Sequence, residues 1–217
     1  MLYDTDKGPS GHGYTRLYHK YFEPLRRRTL NLLELGWGGH ENPDEGGASA
    51  LMWRKYFPNA NIVVVDIEPK NMTSKHEGIT LFEGSQDDAD LVNDLVEIYG
   101  GFDIVIDDAS HVSSLTIKSF ELLFPHLYRG GFYVVEDLHS SYHPWYYGET
   151  EANEDPNALT ANGNETAMQY FQRIIHDVNY HGDGDWDQFP ARYYEGNPLE
   201  YMHFYFDILF MKKRVNA

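Results

Sequence analysis

The sequence predicts an α/β fold with a mostly parallel, Rossmann-like sheet that is covered by helices on both faces. Short apolar runs rich in β-branched residues alternate with longer segments of helical periodicity. Glycine or proline separates most of these segments, as expected where a chain changes direction. An alternation of this kind is typical of βαβ units, whose ligands bind at the carboxyl ends of the strands.

Each element follows from its own pattern. A helix is expected at residues 14–25, because Tyr14, Leu17, Tyr18 and Tyr21 recur at helical spacing. Strands are predicted at residues 29–36, 62–67, 79–84, 102–106 and 132–135. The helices between them are predicted at 46–57, 87–99 and 112–128, the last ended by Gly130-Gly131. A further helix at 165–178 precedes two short strands, or one bent strand, within 201–212.

Composition narrows the function. The chain has 217 residues, which favours a single domain, and a net charge of −17, which disfavours nucleic acid as a partner. There is no cysteine, so disulfides, zinc–thiolate sites and cysteine nucleophiles are excluded. No apolar run is long enough for a signal peptide or a membrane span, so we expect a cytoplasmic protein without a membrane partner.

The first three strand ends carry residues suited to an adenosine-bearing cofactor. The first strand ends in a glycine-rich turn, Gly36 to Gly39, that a ligand could approach closely. The second ends in Asp66, which could hold both ribose hydroxyls. The third leads to Asp87, which could reach an adenine amino group, although Asp87 or Asp88 could instead cap the next helix.

The fourth and fifth strand ends carry four carboxylates, Asp107, Asp108, Glu136 and Asp137. No lysine or arginine lies near them in sequence, and a divalent cation would neutralise them. Oxygen ligands without cysteine favour Mg²⁺ or Mn²⁺. The alternative is that some carboxylates cap helices and others face solvent.

His111 follows Asp108 by three residues and could act as a general base. His139 and His143 are rival bases or substrate contacts. All three could instead be ordinary polar side chains near a helix start or in a loop.

In this order, the segments ELGWGG, VVVDIEP, GSQDDADLV, FDIVIDDASH and GGFYVVEDLH resemble class I S-adenosylmethionine (SAM)-dependent methyltransferases. More narrowly, they are similar to the macrocin/mycinamicin-type, metal-dependent sugar O-methyltransferases of macrolide biosynthesis. The opening segment DTDKGPSGHGYTRLYHKYFEPLR and the segment GGASALMWRKYFP also resemble that group. The likeness covers roughly residues 4–140 and the terminal strand pair.

The resemblance implies a seven-stranded sheet with an antiparallel last strand. It implies one SAM-dependent methyltransferase domain over residues 1–217, with an N-terminal lid and helix at 1–28 and acceptor-side loops and a helix at 138–199. Asp108, Glu136 and Asp137 would hold Mg²⁺ or Mn²⁺, and His111 would be the catalytic base. The implied cofactor-binding residues are Tyr14, Thr15, Glu34, Gly36, Gly38, Ser49, Asp66, Ile67, Ser85, Gln86, Asp87 and Asp107.

The implied reaction is an in-line methyl transfer from SAM to a hydroxyl of a small-molecule acceptor, which we expect to be a sugar of a glycosylated natural product. The loop at 138–164 carries Tyr142, Trp145, Tyr146 and Tyr147, which could stack on a sugar or an aglycone. Three alternatives stay within methyl transfer or SAM binding: a catechol acceptor, a domain of a larger enzyme acting on a non-sugar hydroxyl, and a non-catalytic SAM-binding module. Self-association into a homo-oligomer is frequent among such enzymes.

An NAD-dependent oxidoreductase is the alternative from another class. The glycine pattern argues against it, and Asp66 lies farther from the glycines than the roughly 20 residues expected of that motif. A carboxylate cluster would also have no role in hydride transfer.

Overall fold

The structure, a computed structural model, describes residues 5–143, 165–178 and 199–215. Its centre is a seven-stranded sheet with the strand order β3-β2-β1-β4-β5-β7-β6. The first five strands are parallel, and β7 is antiparallel to both of its neighbours. The strands are β1 (Asn31–Leu35), β2 (Asn61–Asp66), β3 (Ile79–Glu83), β4 (Phe102–Asp107), β5 (Leu127–Glu136), β6 (Leu199–Tyr205) and β7 (Ile208–Lys213).

Two hydrophobic layers cover the sheet. Leu33 and Val105 point into a layer with α3, α4 and α5, whereas their neighbours Leu32 and Ile104 point into a layer with α1 and α2. This alternation follows from the two-residue period of a strand, and it makes the central strands apolar on both faces. The helices are α1 (Thr15–Phe22), α2 (Ala48–Tyr56), α3 (Ala89–Tyr99), α4 (Ser113–Leu123) and α5 (Ala167–Ile174).

The predicted Rossmann-like α/β class and the order of the elements are confirmed. The helix predicted at 112–128 is too long, because α4 ends at Leu123 and a 3₁₀ turn around Pro125 follows. Strand β5 already begins at Leu127, so Gly130 and Gly131 lie inside a strand instead of ending a helix. Proline has no N–H to continue the helix, which explains the early end.

The β6–β7 hairpin brings a carboxylate to the carboxyl end of β5. Glu136 pairs with Ile208 in the antiparallel register, so the hairpin turn lies beside the last residues of β5. Asp207 occupies that turn with a left-handed backbone, φ 66°. The two short strands predicted near the end of the chain are therefore confirmed, and their turn adds a residue to the site.

No helix within the described ranges is long and apolar enough to cross a membrane.

Candidate active site

One cavity of about 520 Å³ runs along the carboxyl ends of the parallel strands. It has two chemically different ends. The nucleotide end is formed by the turn from Gly36 to Gly39, by Asp66 and by Ser85. The carboxylate end is formed by Asp108, His111 and Asp137, with Glu136 buried behind them.

The glycine turn allows β1 and β4 to end close together. Gly36 has φ +98°, and a Cβ atom there would lie 2.1 Å from the carbonyl oxygen of Asp108. The Asp66 carboxylate accepts the N–H of Trp37 at 2.7 Å and that of Glu68 at 2.8 Å. Asp66 therefore fixes the turn after β1 while also lining the cavity at its nucleotide end.

In the segment after β3, one polar residue caps the next helix and another lines the cavity. Asp88 caps α3 by accepting the N–H groups of Asp90 and Leu91. The Ser85 hydroxyl donates to Asp87 at 2.5 Å, and Ser85 itself lines the cavity. Of the two acids considered as a helix cap, Asp88 is thus the one that caps.

Gln86 holds the loop after β4 in place. Its amide nitrogen donates to Ser119 at 2.7 Å, and its oxygen accepts the N–H of Ser110 at 3.1 Å. Nearby, Asp107 is buried and accepts a hydrogen bond from Tyr133. Burial raises the pKa of Asp107 to about 7.

Glu34 lies behind the cavity wall. It accepts hydrogen bonds from Ser49 at 2.9 Å and from Trp53 at 3.1 Å, and Ser49 lines the cavity. Burial raises the pKa of Glu34 to about 7, partly offset by the charge of Lys7 3.7 Å away. Glu34 therefore positions Ser49.

Lys7 is the main residue that sequence reasoning missed. It is 0% exposed, and its ammonium contacts Asp108 and, at 2.9 Å, Glu136. Burial alone would lower the pKa of Lys7, but the charges of Asp108, Glu136 and Glu34 raise it well above its usual value. No lysine or arginine lies near the carboxylates in sequence, but the fold brings Lys7, 101 residues before Asp108, into contact with two of them.

Glu136 has both carboxylate oxygens engaged. Oε2 accepts from Lys7, and Oε1 accepts from the buried hydroxyl of Tyr18. Burial and the nearby charge of Asp108 raise the pKa of Glu136, and they outweigh the opposing effects of Lys7 and Tyr18. In the described conformation Glu136 thus faces the interior of the protein.

Asp108, His111 and Asp137 face one another across the carboxylate end. His111 Nε2 lies 3.6 Å from Asp137 Oδ2 and 4.0 Å from Asp108 Oδ1. His111 precedes α4 and has a left-handed backbone with φ 57°, as does Asp137 with φ 55°. Such backbone conformations are uncommon outside glycine, and they often accompany functional sites.

A second group of polar side chains adjoins Asp137. Tyr14 donates to Asp137 Oδ1 at 2.8 Å, and His12 Nδ1 lies 3.4 Å from the same oxygen. His139 Nδ1 lies 2.7 Å from Asp207 Oδ2, and its ring contacts that of His143. The N-terminal loop, residues 5–14, and the β6–β7 turn therefore meet at the carboxylate end.

Some of the predicted site residues line the cavity and others do not. Tyr14 and Thr15 are not among the cavity-lining residues; from the N-terminal segment, Thr5 and Asp6 line the cavity instead. The predicted residues that line it are Gly36, Gly38, Ser49, Asp66, Ile67, Ser85, Gln86, Asp108, His111 and Asp137. The predicted residues that lie behind the wall or beside it are Glu34, Asp87, Asp107 and Glu136. Trp145, Tyr146 and Tyr147 lie outside the described residues, whereas Tyr142 is described and exposed.

The residues present fit both a divalent cation and a nucleoside. The candidate ligand atoms of Asp108, His111 and Asp137 all lie within 4.8 Å of one another. That spacing is comparable with the about 4.2 Å between opposite oxygen ligands of Mg²⁺. The cavity volume of about 520 Å³ is also in the range of small-molecule sites.

No protein-family model matches the sequence. Curated relatives do match it, and the chain spans about half of their length or less. It is 42% identical to 8-demethyl-8-(2-methoxy-alpha-L-rhamnosyl)-tetracenomycin-C 3'-O-methyltransferase of Streptomyces olivaceus, over 81% of this chain and 43% of that protein. It is 34% identical to demethylmacrocin O-methyltransferase of Streptomyces fradiae, over 99% of this chain and 52% of that protein.

A solved structure has the same fold. The methyltransferase from the mycinamycin biosynthetic pathway, solved in complex with Mg and S-adenosylhomocysteine (SAH), superposes with a TM-score of 0.83. It is 30% identical, and the match covers 100% of this chain and 52% of the other. The predicted resemblance is therefore confirmed: this chain has the class I methyltransferase fold, and its sequence is similar to about half of the length of the macrocin/mycinamicin-type O-methyltransferases.

Proposed function

We propose that this chain is a SAM-dependent, divalent-metal-dependent O-methyltransferase domain that methylates a sugar hydroxyl of a glycosylated natural product. The observation that carries this proposal is that a nucleotide end and a carboxylate end belong to the same cavity. One end suits an adenosine-bearing methyl donor, and the other suits a hydroxylated acceptor. Both reactants would therefore meet in one cavity, where correct positioning supplies much of the rate enhancement.

At the nucleotide end, the chain offers hydrogen-bond partners for an adenosine. Asp66 would accept from the ribose hydroxyls while keeping its bonds to the turn after β1. Ser85 and Gln86 line the wall where the adenine would lie. Gly36 and Gly38 line the cavity without side chains, so the methionine part could lie close to the backbone there.

At the carboxylate end, Asp108 and Asp137 would hold Mg²⁺ or Mn²⁺, with Glu136 as a third ligand. Such an ion lowers the pKa of a hydroxyl group that binds to it. His111 lies within 4.0 Å of both aspartates, so it is placed to take the proton of an acceptor hydroxyl. In this assignment Nε2 of His111, the ring nitrogen that faces the aspartates, takes the proton and is not a ligand of the ion.

The relatives support the acceptor class. One relative is named for 3'-O-methylation of a tetracenomycin that carries a rhamnosyl group, and another for O-methylation of demethylmacrocin. The mycinamycin-pathway methyltransferase was solved with Mg, SAH and mycinamycin VI together. Tyr142 is exposed in the turn Leu138–Tyr142 that directly follows Asp137, and it would contact an acceptor bound at the carboxylate end.

The test is methyl transfer from isotopically labelled SAM to a panel of acceptors, followed by mass spectrometry. The panel contains demethylmacrocin, a rhamnosylated tetracenomycin, mycinamicin VI, the matching aglycones without sugar, and catechol. The proposal expects label on at least one glycoside and none on its aglycone. Label on catechol alone, or on the aglycones, would contradict the sugar acceptor.

A further inference from the structure

We propose that Lys7 is a built-in competitor for the divalent cation, so that cation binding at Glu136 and Asp108 requires withdrawal of the Lys7 side chain and loosens the N-terminal loop. This inference rests on the metal site of the proposed function. It concerns a residue of this chain that sequence analysis did not assign to any role.

The first support is the position of the ammonium group. Lys7 Nζ contacts Asp108 Oδ2 and Glu136 Oε2, which are oxygens of two of the three proposed metal ligands. It also lies 3.7 Å from Glu34. A buried lysine is rare unless it is paired, and here three carboxylates surround it.

The second support is the engagement of Glu136. Its two oxygens accept from Lys7 and Tyr18, so neither faces the space between Asp108, His111 and Asp137. Among the described residues, that space is bounded by three ligand atoms that do not include Glu136. A cation in that space would therefore compete with Lys7 and Tyr18 for the oxygens of Glu136.

The third support is the tight link between Lys7 and the rest of the N-terminal loop. The carbonyl of Lys7 accepts the N–H of Thr15 at 3.0 Å, and the carbonyl of Asp6 accepts that of His12 at 2.8 Å. Gly13 donates to the carbonyl of Gly8 at 2.9 Å. A displacement of Lys7 is therefore transmitted to these hydrogen bonds, and Thr5 and Asp6 carry it to the cavity wall.

The charges of the cluster favour one cation in this space over two. An ammonium and a divalent ion a few ångströms apart repel each other strongly in a buried site. Removal of the ammonium leaves Asp108 and Glu136 with an uncompensated negative charge. That change strengthens the binding of the remaining cation.

Binding of Mn²⁺ alone tests this inference, because it needs neither SAM nor turnover. Free Mn²⁺ is followed by electron paramagnetic resonance during titration of wild type, Lys7→Met, Lys20→Met and Asp108→Asn. Lys20→Met is the matched control, since Lys20 is an exposed lysine of α1 that contacts Tyr205. We expect Lys7→Met to bind Mn²⁺ about tenfold more tightly, a difference of about 1.4 kcal/mol, with Lys20→Met unchanged.

Hydrogen exchange of the wild-type protein gives a second readout if Lys7→Met does not fold. Addition of Mn²⁺ is expected to speed exchange at the amides of His12, Gly13 and Thr15. Unchanged or slower exchange at these amides overturns the proposed competition, as does Mn²⁺ binding by Lys7→Met that is no tighter than wild type. Failure of wild type, Lys7→Met and Asp108→Asn alike to bind Mn²⁺ overturns the metal site itself, and the role of Lys7 with it.

Discussion

The two ends of the cavity are built in different ways. The nucleotide end consists of residues at or just after the ends of β1, β2 and β3, and its hydrogen bonds join adjacent strand ends, such as those of Asp66 with Trp37 and Glu68. The carboxylate end draws on the whole chain, with Lys7 and Tyr14 from the N-terminus and Asp207 from the last hairpin. A local motif can therefore specify the first end, whereas the second depends on the completed fold.

The difference also concerns charge. The nucleotide end exposes Asp66 to the cavity with its oxygens satisfied by backbone N–H groups. The carboxylate end places Asp108 and Glu136 against one buried ammonium, that of Lys7, with Glu34 3.7 Å from it. Buried carboxylates that share so little positive charge favour a cation as ligand. We therefore expect substitutions at the two ends to separate cofactor affinity from turnover.

The largest expected effect is at the carboxylate end. Asp108→Asn removes a charge from the proposed metal site, so turnover should fall by about three orders of magnitude, equivalent to ~4 kcal/mol. SAH affinity by calorimetry should change by less than about twofold, because Asp108 belongs to the other end of the cavity. Asp94→Asn, an exposed residue of α3, is the control that should change neither quantity. Retained turnover in Asp108→Asn would remove Asp108 from the metal site.

His111→Ala tests the proposed base. The rate of methyl transfer should fall by about two to four orders of magnitude, since a positioned base contributes that much. Mn²⁺ affinity should be nearly retained if oxygen ligands hold the ion. The comparison variant is His139→Ala, whose ring is paired with Asp207. A loss of less than about tenfold in His111→Ala would move the base role to His139 or His143.

Gly36→Ala tests the junction between the two ends. The added Cβ would lie 2.1 Å from the carbonyl oxygen of Asp108, at a backbone φ of +98°. We expect the free energy of unfolding to fall by about 3 kcal/mol, from strain and the displacement of packed backbone. Gly13→Ala is the matched control, because Gly13 has φ +74° and no atom within 4 Å of the added Cβ. Urea unfolding should give a loss of only about 1–2 kcal/mol for Gly13→Ala. Equal losses would mean that close approach at Gly36 is unimportant.

Asp66→Asn tests the nucleotide end. Asparagine keeps one acceptor for the N–H groups of Trp37 and Glu68 but loses the charge. SAH affinity should weaken by about tenfold or somewhat more, the cost of about 1.5–2 kcal/mol for a charged hydrogen-bond partner. Turnover at saturating SAM should stay within about threefold of wild type. A large fall in saturated turnover with unchanged SAH affinity would reverse the assignment of the two ends.

The sequence predicted the fold well because its signals are local and repeated. The alternation of apolar runs and helical segments identified the five parallel strands, and the resemblance added the antiparallel hairpin. The misjudged boundary at Leu127 had a local cause, since two glycines were interpreted as a helix end although they lie in β5. Pro125 was the better signal for the end of α4.

The site was predictable only in part. Strand ends pointed to Asp66, Asp108 and Asp137, because parallel strands end at one edge of the sheet. The partners Lys7, Tyr18 and Asp207 come from distant segments, and no spacing in the sequence relates them to Glu136 or Asp137. Of these three residues, only Lys7 could have been noticed in the sequence, because it is a lysine among small and polar residues in a segment that resembles the family. Predicting its burial would have required knowledge of how the N-terminal loop packs.

The most direct test of the central claim is calorimetric titration of this protein with SAH, repeated with NAD⁺. The proposed methyltransferase function predicts micromolar binding of SAH, a weaker affinity for SAH in Asp66→Asn, and no binding of NAD⁺. Binding of NAD⁺ without SAH, or of neither ligand, would contradict the assignment of the nucleotide end and the methyl transfer that depends on it.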